Sequence, residues 1–155
     1  MTTIVSFVPT NASTLPSLQS AEIDPAVCIL PLSQHRIPAG FPSPADEYVE
    51  KGLDLNHYLV RNKVATYFFR VVGNSMIGAD IYDGDMLVVD RSVKPKHGHI
   101  VVAVINNEYT VKRLYACDGV IELHAENPAY LPIRFKEYEE LQVWGVVGTI
   151  TRFVV

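Results

Sequence analysis

Turn signals at short intervals are the feature that most restricts how the second half of this chain can fold. From Thr66 onward, runs rich in β-branched and aromatic residues alternate with turn dipeptides, namely Asp83-Gly84, Asn106-Asn107 and Asp118-Gly119. Such runs, with a turn about every 8–12 residues, are typical of antiparallel strands joined by hairpins. We therefore predict a mainly β body with strands over residues 67–72, 86–89, 98–105, 108–114, 120–124 and 142–154. In the last strand we expect bends or bulges at Gly145 and Gly148.

Residues 1–39 differ in kind and are predicted to form an extended arm. Prolines recur along this segment, at Pro9, Pro16, Pro25, Pro31 and Pro38. Each proline removes a backbone donor and disfavours helix in the residue before it. Two short apolar segments, 4–8 and 27–30, are expected to dock on the body. The predicted organisation is thus an arm over residues 1–39 and a body over residues 40–155.

A few short helices are predicted between the arm and the first strand of the body. Ser43 followed by Pro44 and two acids is typical of a helix start, and Gly52 is expected to end that helix. Asp54 is expected to cap a second short helix over residues 55–60.

Composition excludes several classes of function. The 155 residues are 48% apolar with a net charge of −4, so little direct binding to a DNA backbone is expected. No apolar run approaches the roughly 20 residues that span a bilayer, and the N-terminus lacks the basic segment of a signal peptide. We therefore predict a cytoplasmic protein with no membrane segment. Cys28 and Cys117 have no zinc-like spacing and are expected to be free thiols, with no metal or cofactor.

A serine and a lysine suggest peptidase chemistry. Ser75 follows Gly73 at the end of a predicted strand, where a sharp turn and a close backbone approach are possible. Serine is a weak nucleophile that needs a base. Thr110 and Lys112 share one face of a later predicted strand, because side chains alternate with period two. A neutral Lys112 could accept the proton of Ser75, with Thr110 orienting the amine.

Such a base requires an apolar pocket. Lowering a lysine pKa by about three units, from about 10.4, means disfavouring the ammonium by roughly 4 kcal/mol. Burial without a carboxylate partner can do this. The expected walls are Val101, Val102, Val104, Val111 and Leu114.

Other polar residues make weaker candidates. His97 and His99 could bind a metal, but without a supporting Cys or carboxylate cluster they are better explained as turn histidines. His57 and His124 lack a Ser–Asp partnership, and turn chemistry accounts for Asp83, Asp85 and Asp90.

From Ala39 to Val147 the chain resembles the UmuD/MucA family, the SOS-mutagenesis relatives of the LexA repressor and S24-type serine–lysine peptidases. The matching motifs, in chain order, are Gly40-Phe41-Pro42-Ser43-Pro44-Ala45, Asp54-Leu55-Asn56, Ala65-Thr66-Tyr67-Phe68, Gly73-Asn74-Ser75-Met76, Asp83-Gly84-Asp85, Val88-Val89-Asp90, His97-Gly98-His99-Ile100-Val101, Tyr109-Thr110-Val111-Lys112 and Trp144-Gly145-Val146-Val147. The resemblance implies a LexA/UmuD-like peptidase body.

The resemblance also implies an activity and partners. The chain would cut its own Ala39–Gly40 bond, stimulated by a RecA filament on single-stranded DNA. The product would join a UmuC-like Y-family polymerase in translesion synthesis after DNA damage, and both forms would be homodimers. Backbone N–H groups of Asn74 and Ser75 are candidates for the oxyanion hole, by analogy with other acyl-transfer sites.

Three alternatives remain for comparison. A non-enzymatic polymerase-binding subunit would be indifferent to Ser75. A LexA-type repressor would need a DNA-binding domain that 39 proline-rich residues cannot form. A signal peptidase would need a membrane anchor.

Overall fold

The computed structural model describes residues 5–7, 26–27, 29–33, 37, 39–41, 49–135 and 141–154. The elements in chain order are β1 (Val5–Phe7), β2 (Ile29–Ser33), β3 (Val49–Asp54), α1 (Leu55–Leu59), β4 (Thr66–Arg70), a 3-10 turn (Ile77–Ala79), β5 (Met86–Asp90), β6 (Ile100–Ile105), β7 (Glu108–Cys117), β8 (Val120–His124), β9 (Ile133–Arg134) and β10 (Leu141–Thr151). The predicted mainly β fold is confirmed.

The long strand β10 organises the main sheet. Its order is β4-β5-β10-β6-β7-β8-β9, and the neighbours along this path are antiparallel. β10 pairs with β6 along one edge and with β5 along the other. The register shifts between Val143 and Gly145 and again between Val147 and Thr149. The irregularities expected near Gly145 and Gly148 are therefore present, and they let one strand join both halves of the sheet.

Apolar side chains pack on both faces of the central strands. On β6, Val101 and Ala103 belong to one buried cluster, whereas Val102 belongs to another that contains Trp144. The Trp144 ring makes edge contacts with Tyr67 and Phe69, each at 4.9 Å between ring centroids. Burial on both faces explains why β6 is a nearly continuous apolar run.

Most strand predictions agree with the structure to within a few residues, and the turn dipeptides form the predicted hairpins. Asn106 and Asn107 have φ of 50° and 65°, and Asp118 and Gly119 have φ of 52° and 78°. These left-handed conformations suit two-residue hairpin loops. β7 is longer than predicted, because its last residues continue in register with β8.

The two predicted helices had different outcomes. Asp54 caps α1 as expected, with its carboxylate accepting from the backbone N–H of Asn56 at 3.0 Å. The helix expected to end at Gly52 is wrong over its described part, since Val49–Asp54 is a strand paired with β2. Its predicted start at Ser43 lies outside the described residues.

Both apolar segments of the arm contribute strands. β1 pairs in parallel with the first residues of β10, Val5 opposite Leu141 and Phe7 opposite Val143. β2 and β3 form a separate two-stranded sheet. Within the described parts of the chain, no helix is long and apolar enough to cross a membrane.

Candidate active site

Ser75 lies in a tight turn after β4. Gly73 has φ +94°, a left-handed conformation that favours glycine, and its N–H donates to Asp83 Oδ1 at 2.7 Å. Met76, only 1% exposed, anchors the turn in the core. The predicted sharp turn is therefore present, but the predicted close approach is not, because a methyl group at Gly73 would meet no atom within 4 Å.

Lys112 reaches Ser75 from β7, 37 positions away in the chain. Its Nζ donates to Ser75 Oγ at 2.8 Å, to Thr110 Oγ1 at 3.0 Å and to the Val111 carbonyl at 2.9 Å. Among the described strands, residues 108–112 pair only with β6, since pairing with β8 begins at Arg113. The outer edge of β7 is therefore open at Lys112, and the Val111 carbonyl can receive the amine.

Lys112 is 8% exposed and lines a cleft of about 260 Å³ in which apolar side chains alternate with the polar residues Arg70, Ser75 and Thr110. Of the expected walls, Val102 and Val111 line the cleft, and Val104 packs against the cluster around Trp144. Val101 and Leu114 belong to the other buried cluster and are not walls, because Lys112 turns back past the carbonyl of its own strand. Phe69, Val72 and Tyr109 also line the cleft.

Burial lowers the pKa of Lys112 below its ordinary value. None of the ion pairs between described residues involves this amine, which therefore lacks a carboxylate to hold its charge. Desolvation without compensation favours the neutral amine.

Sequence reasoning missed the loop after β8, which touches the Ser75 turn at three points. The Gly78 N–H donates to the Glu126 carbonyl at 2.7 Å. Asn127 Nδ2 donates to the Asn74 carbonyl at 2.9 Å, and the Tyr130 hydroxyl donates to Asn74 Oδ1 at 2.6 Å. The Asn127-Pro128 pair signalled a turn, but nothing in the sequence linked that turn to Ser75.

The backbone N–H groups of Asn74 and Ser75 donate no hydrogen bond within the part of the chain that the structure describes. Both groups are therefore available to an incoming acceptor. The side chain of Asn74, in contrast, is engaged by Tyr130.

Ala39 and Gly40 lie in an exposed bend away from close neighbours. Phe41 and Ile37 are 93% and 91% exposed, and a methyl group at Gly40 would meet no atom within 4 Å. The predicted cleavage segment therefore faces solvent in this conformation and does not lie in the cleft. Pro38 is outside the described residues.

The four histidines that the structure describes have ordinary structural surroundings. His97 Nδ1 and His99 Nδ1 accept backbone N–H groups at 3.2 and 3.3 Å, and His124 is bonded to Glu122. His57 is exposed in the last turn of α1. The described residues contain no cluster of His, Cys, Asp or Glu that could hold a metal. Cys117 is an exposed free thiol, and Cys28 lies outside the described residues.

The three aspartates assigned to turn chemistry, Asp83, Asp85 and Asp90, accept hydrogen bonds in turns, and one of them also forms an ion pair. Asp83 accepts from Gly73, and Asp90 Oδ1 accepts the N–H of Ser92 at 2.7 Å. Asp85 is buried and accepts from Arg152 Nε and Nη2 at 2.6 and 2.5 Å, a contact that turn chemistry did not predict.

Comparison with known proteins decides the family. The family model described as Peptidase S24-like matches residues 31–148 of the chain. The chain belongs to the S24-like peptidase family. This match and the relatives SamA and MucA together confirm the predicted resemblance to the UmuD/MucA group of S24 peptidases.

Individual S24-like relatives cover most of this chain. Protein SamA of Salmonella typhimurium is 45% identical over 130 residues, which span 84% of this chain and 90% of SamA. Protein MucA of Escherichia coli is 47% identical over 126 residues, which span 76% of this chain and 81% of MucA. The LexA repressor of Bordetella parapertussis is 39% identical over 144 residues, which span 92% of this chain and 65% of the repressor. The S24-like match includes both Ser75 and Lys112.

Proposed function

We propose that this S24-like protein is a serine endopeptidase that cuts its own Ala39–Gly40 bond, with Ser75 as nucleophile and Lys112 as general base. The observation that carries the proposal is the 2.8 Å contact between Lys112 Nζ and Ser75 Oγ, made by a buried amine without a carboxylate partner. The UmuD-type relatives support a role in SOS mutagenesis.

The contacts of the amine suit a neutral base. A neutral amine has two N–H groups and one lone pair. Thr110 Oγ1 and the Val111 carbonyl can accept these two N–H groups, as they do from the charged amine. In the neutral amine the contact to Ser75 reverses, so that the Ser75 hydroxyl donates to the lone pair. Thr110 is thus an orienting residue, as expected from its place two residues before Lys112.

The proposed reaction passes one proton through Lys112 in each of its two stages, acylation and hydrolysis. Ser75 Oγ forms a bond to the Ala39 carbonyl carbon while its proton passes to Lys112 Nζ. The tetrahedral oxyanion accepts hydrogen bonds from the N–H groups of Ser75 and Asn74, which have no other acceptor within the described residues. The Ala39–Gly40 bond then breaks, and Lys112 returns the proton to the Gly40 nitrogen. Water then forms a bond to the Ala39 carbonyl carbon while its proton passes to Lys112 Nζ. The bond between that carbon and Ser75 Oγ breaks, and Lys112 returns the proton to Ser75 Oγ.

Docking of the arm is the expected regulated step. The Ala39–Gly40 bond is exposed in the present conformation, and the small side chains on both sides allow it to enter a narrow cleft in extended form. A partner that binds the docked arm more tightly than the undocked arm would accelerate the cut by shifting that equilibrium. We propose that a RecA filament on single-stranded DNA is this partner.

The trimmed body, residues 40–155, is proposed to act as a homodimeric accessory subunit of a UmuC-like Y-family polymerase in translesion synthesis. The full chain has a net charge of −4, of which Glu22, Asp24 and Arg36 in the arm account for −1, so the body stays acidic, which suits a subunit that contacts protein rather than the DNA backbone. A cytoplasmic location follows from these partners.

Self-cleavage is tested by intact mass and N-terminal sequencing of purified protein over a range of pH, with and without RecA filament. We expect a fragment beginning at Gly40, and a rate that rises with pH and levels off above the pKa of Lys112, because only the neutral amine is a base. Ser75→Ala and Lys112→Ala should abolish the cut. The controls Ser92→Ala and Lys94→Ala, at exposed turns, should cleave normally. A wild-type chain that stays intact under all conditions would leave only the non-enzymatic subunit.

A further inference from the structure

The loop after β8 hydrogen-bonds to the turn that carries Ser75 and orients it. Asn127 Nδ2 donates to the Asn74 carbonyl at 2.9 Å, and Tyr130 donates to the Asn74 side chain at 2.6 Å. These partners are 53 and 56 positions from Asn74 in the chain. The loop therefore acts on the residue just before Ser75, through both its backbone and its side chain.

Planarity of the peptide bond turns the first contact into a constraint on Ser75. The described chain contains no cis peptide bond, so the Asn74 carbonyl and the Ser75 N–H lie in one plane and point in opposite directions from the C–N bond that joins them. Asn127 fixes the direction of the carbonyl. The Ser75 N–H must then point the opposite way within the same plane, where no described acceptor takes it.

The loop after β8 is itself held in place by contacts to its neighbours. Glu126 forms an ion pair with Arg113, the neighbour of Lys112 on β7, and Arg113 Nη1 also donates to the Gly98 carbonyl at 2.8 Å. Asn127 Oδ1 accepts the Ala129 N–H at 3.0 Å, which fixes the amide and leaves Nδ2 for Asn74. A methyl group at Gly78 would approach the Glu126 carbonyl to 2.7 Å, so the two loops pack backbone to backbone.

We propose that Asn127 is a positioning residue for self-cleavage, which aims the Ser75 N–H at the oxyanion by holding the Asn74 carbonyl. Tyr130 assists by fixing the Asn74 side chain. This inference rests on the proposed function, because it assigns a role within the same reaction. Neither residue touches the reacting atoms.

Asn127→Ser is the sharpest variant. Serine can still accept from the Ala129 N–H and adds no charge near Lys112, but its hydroxyl is too short to reach the Asn74 carbonyl. We expect the plateau rate of self-cleavage at high pH to fall at least tenfold, short of the roughly 10²–10³-fold loss on removal of an oxyanion donor. The pH at which the rate levels off should not move, because the surroundings of Lys112 are unchanged.

Tyr130→Phe removes one hydroxyl from an exposed ring and provides a second variant that will fold. We expect a smaller fall in the plateau, because the Asn74 carbonyl remains held. Asn62→Ser, in the turn before β4, and Tyr58→Phe, on the exposed face of α1, are the matched controls and should cleave like wild type. Thermal midpoints measured on the same samples report any loss of folding.

A second assay separates this inference from the proposed function. A fluorophosphonate that labels Ser75 places its phosphoryl oxygen where the oxyanion would be and needs no docked arm. Slower labelling of Asn127→Ser, in proportion to its slower cleavage, supports the inference. If wild type cleaves and Asn127→Ser has the same plateau, the inference is wrong while the proposed function stands. A shift in the levelling pH together with a lower thermal midpoint would mean a merely structural role. If wild type neither cleaves nor labels, the proposed function fails, and this inference with it.

Discussion

At the scale of single residues, the cost of burying Lys112 is the property that distinguishes this site from the rest of the core. Lys112 is 8% exposed, and its pKa is lowered because desolvation is not offset by any carboxylate among the described residues. A charge held in this way destabilises the folded state whenever the amine is protonated. Thr66 and Asp85, the other buried polar residues in the described part of the chain, each have a hydrogen-bond partner that stabilises them in the fold.

Lys112→Met should therefore stabilise the fold while it removes the proposed base. We expect the free energy of unfolding at pH 7 to rise by about 1–2 kcal/mol, the typical scale for replacing buried charge with an apolar side chain. The pKa of Lys112 is lower in the folded state than in the unfolded state. At pH values between these two pKa values, the unfolded state therefore binds more protons. Wild-type stability accordingly rises with pH across that window, and the advantage of the variant should shrink towards about pH 10.4.

Chemical denaturation of both proteins at several pH values checks this prediction. Lys94→Met, at an exposed position, should have little effect at any pH. An advantage for Lys112→Met that grows with pH would show that the lysine pKa is raised, contrary to its burial.

At the scale of elements, the end of β10 is fastened to the turn before β5. Asp85 is buried, and the guanidinium of Arg152 lies 4.4 Å from the Tyr82 ring centroid while it binds both carboxylate oxygens. The hydrogen bond from Arg152 lowers the pKa of Asp85, and the backbone N–H of Tyr82 adds to the effect. The contact joins residues 67 positions apart and closes the sheet at the β5 side.

Arg152→Met should lower the thermal midpoint by several degrees at neutral pH, because it leaves a buried carboxylate without its cation. The folded pKa of Asp85 is lowered, so its contribution is present above the unfolded value of about 3.9 and is lost as pH falls through the folded value. The difference in thermal midpoint between wild type and Arg152→Met should therefore be smaller in acid. Calorimetry at pH 7 and about pH 3 measures this difference.

Arg134→Met is the matched control for that experiment. Its side chain is 76% exposed in the pair with Glu122, and surface pairs of this kind contribute little. A constant gap between Arg152→Met and wild type at both pH values would assign the loss to packing on Tyr82 rather than to Asp85.

The same scale shows what the sequence could and could not predict. The strands of the body were predictable because β-branched runs and Asn or Asp-Gly turns are local signals. The helix expected up to Gly52 was wrong, because the pairing of Val49–Asp54 with Ile29–Ser33 is a distant contact that overrides a local start signal. Ser75 and Lys112 could be selected by residue type, but Asn127 could not, since only the folded chain brings it to Asn74.

At the scale of the whole molecule, the arm belongs partly to the main sheet. β1 lies along the same edge of β10 that β5 occupies further on, because both pair opposite β6. Removing the arm therefore exposes backbone groups of a central strand at Leu141–Val143, as well as the β3 edge that pairs with Ile29–Ser33.

Hydrogen exchange of the full chain and of residues 40–155 checks this arrangement. Successive N–H groups of a strand point to alternate edges, so we expect faster exchange in the shorter protein, by at least severalfold, at those amides of Leu141–Val143 that face β1 rather than β6. The amides of Val147–Thr151 that face β5 serve as the internal control and should be unchanged. Equal exchange at Leu141–Val143 in both proteins would show that β1 does not protect this edge in solution.

The parallel pairing of β1 with β10 has a consequence for the life of the cut protein. Scission at Ala39–Gly40 would leave the strands Val5–Phe7 and Ile29–Ser33 hydrogen-bonded to the body. Before the cut, the tether holds these strands at an effective concentration in the millimolar range. After the proposed cut the arm would be a separate peptide at the bulk concentration of the protein, and it would leave by ordinary dissociation. Scission and the change of surface would then be separate events, and the lag between them would depend on dilution and on any other strand that competes for the same edge.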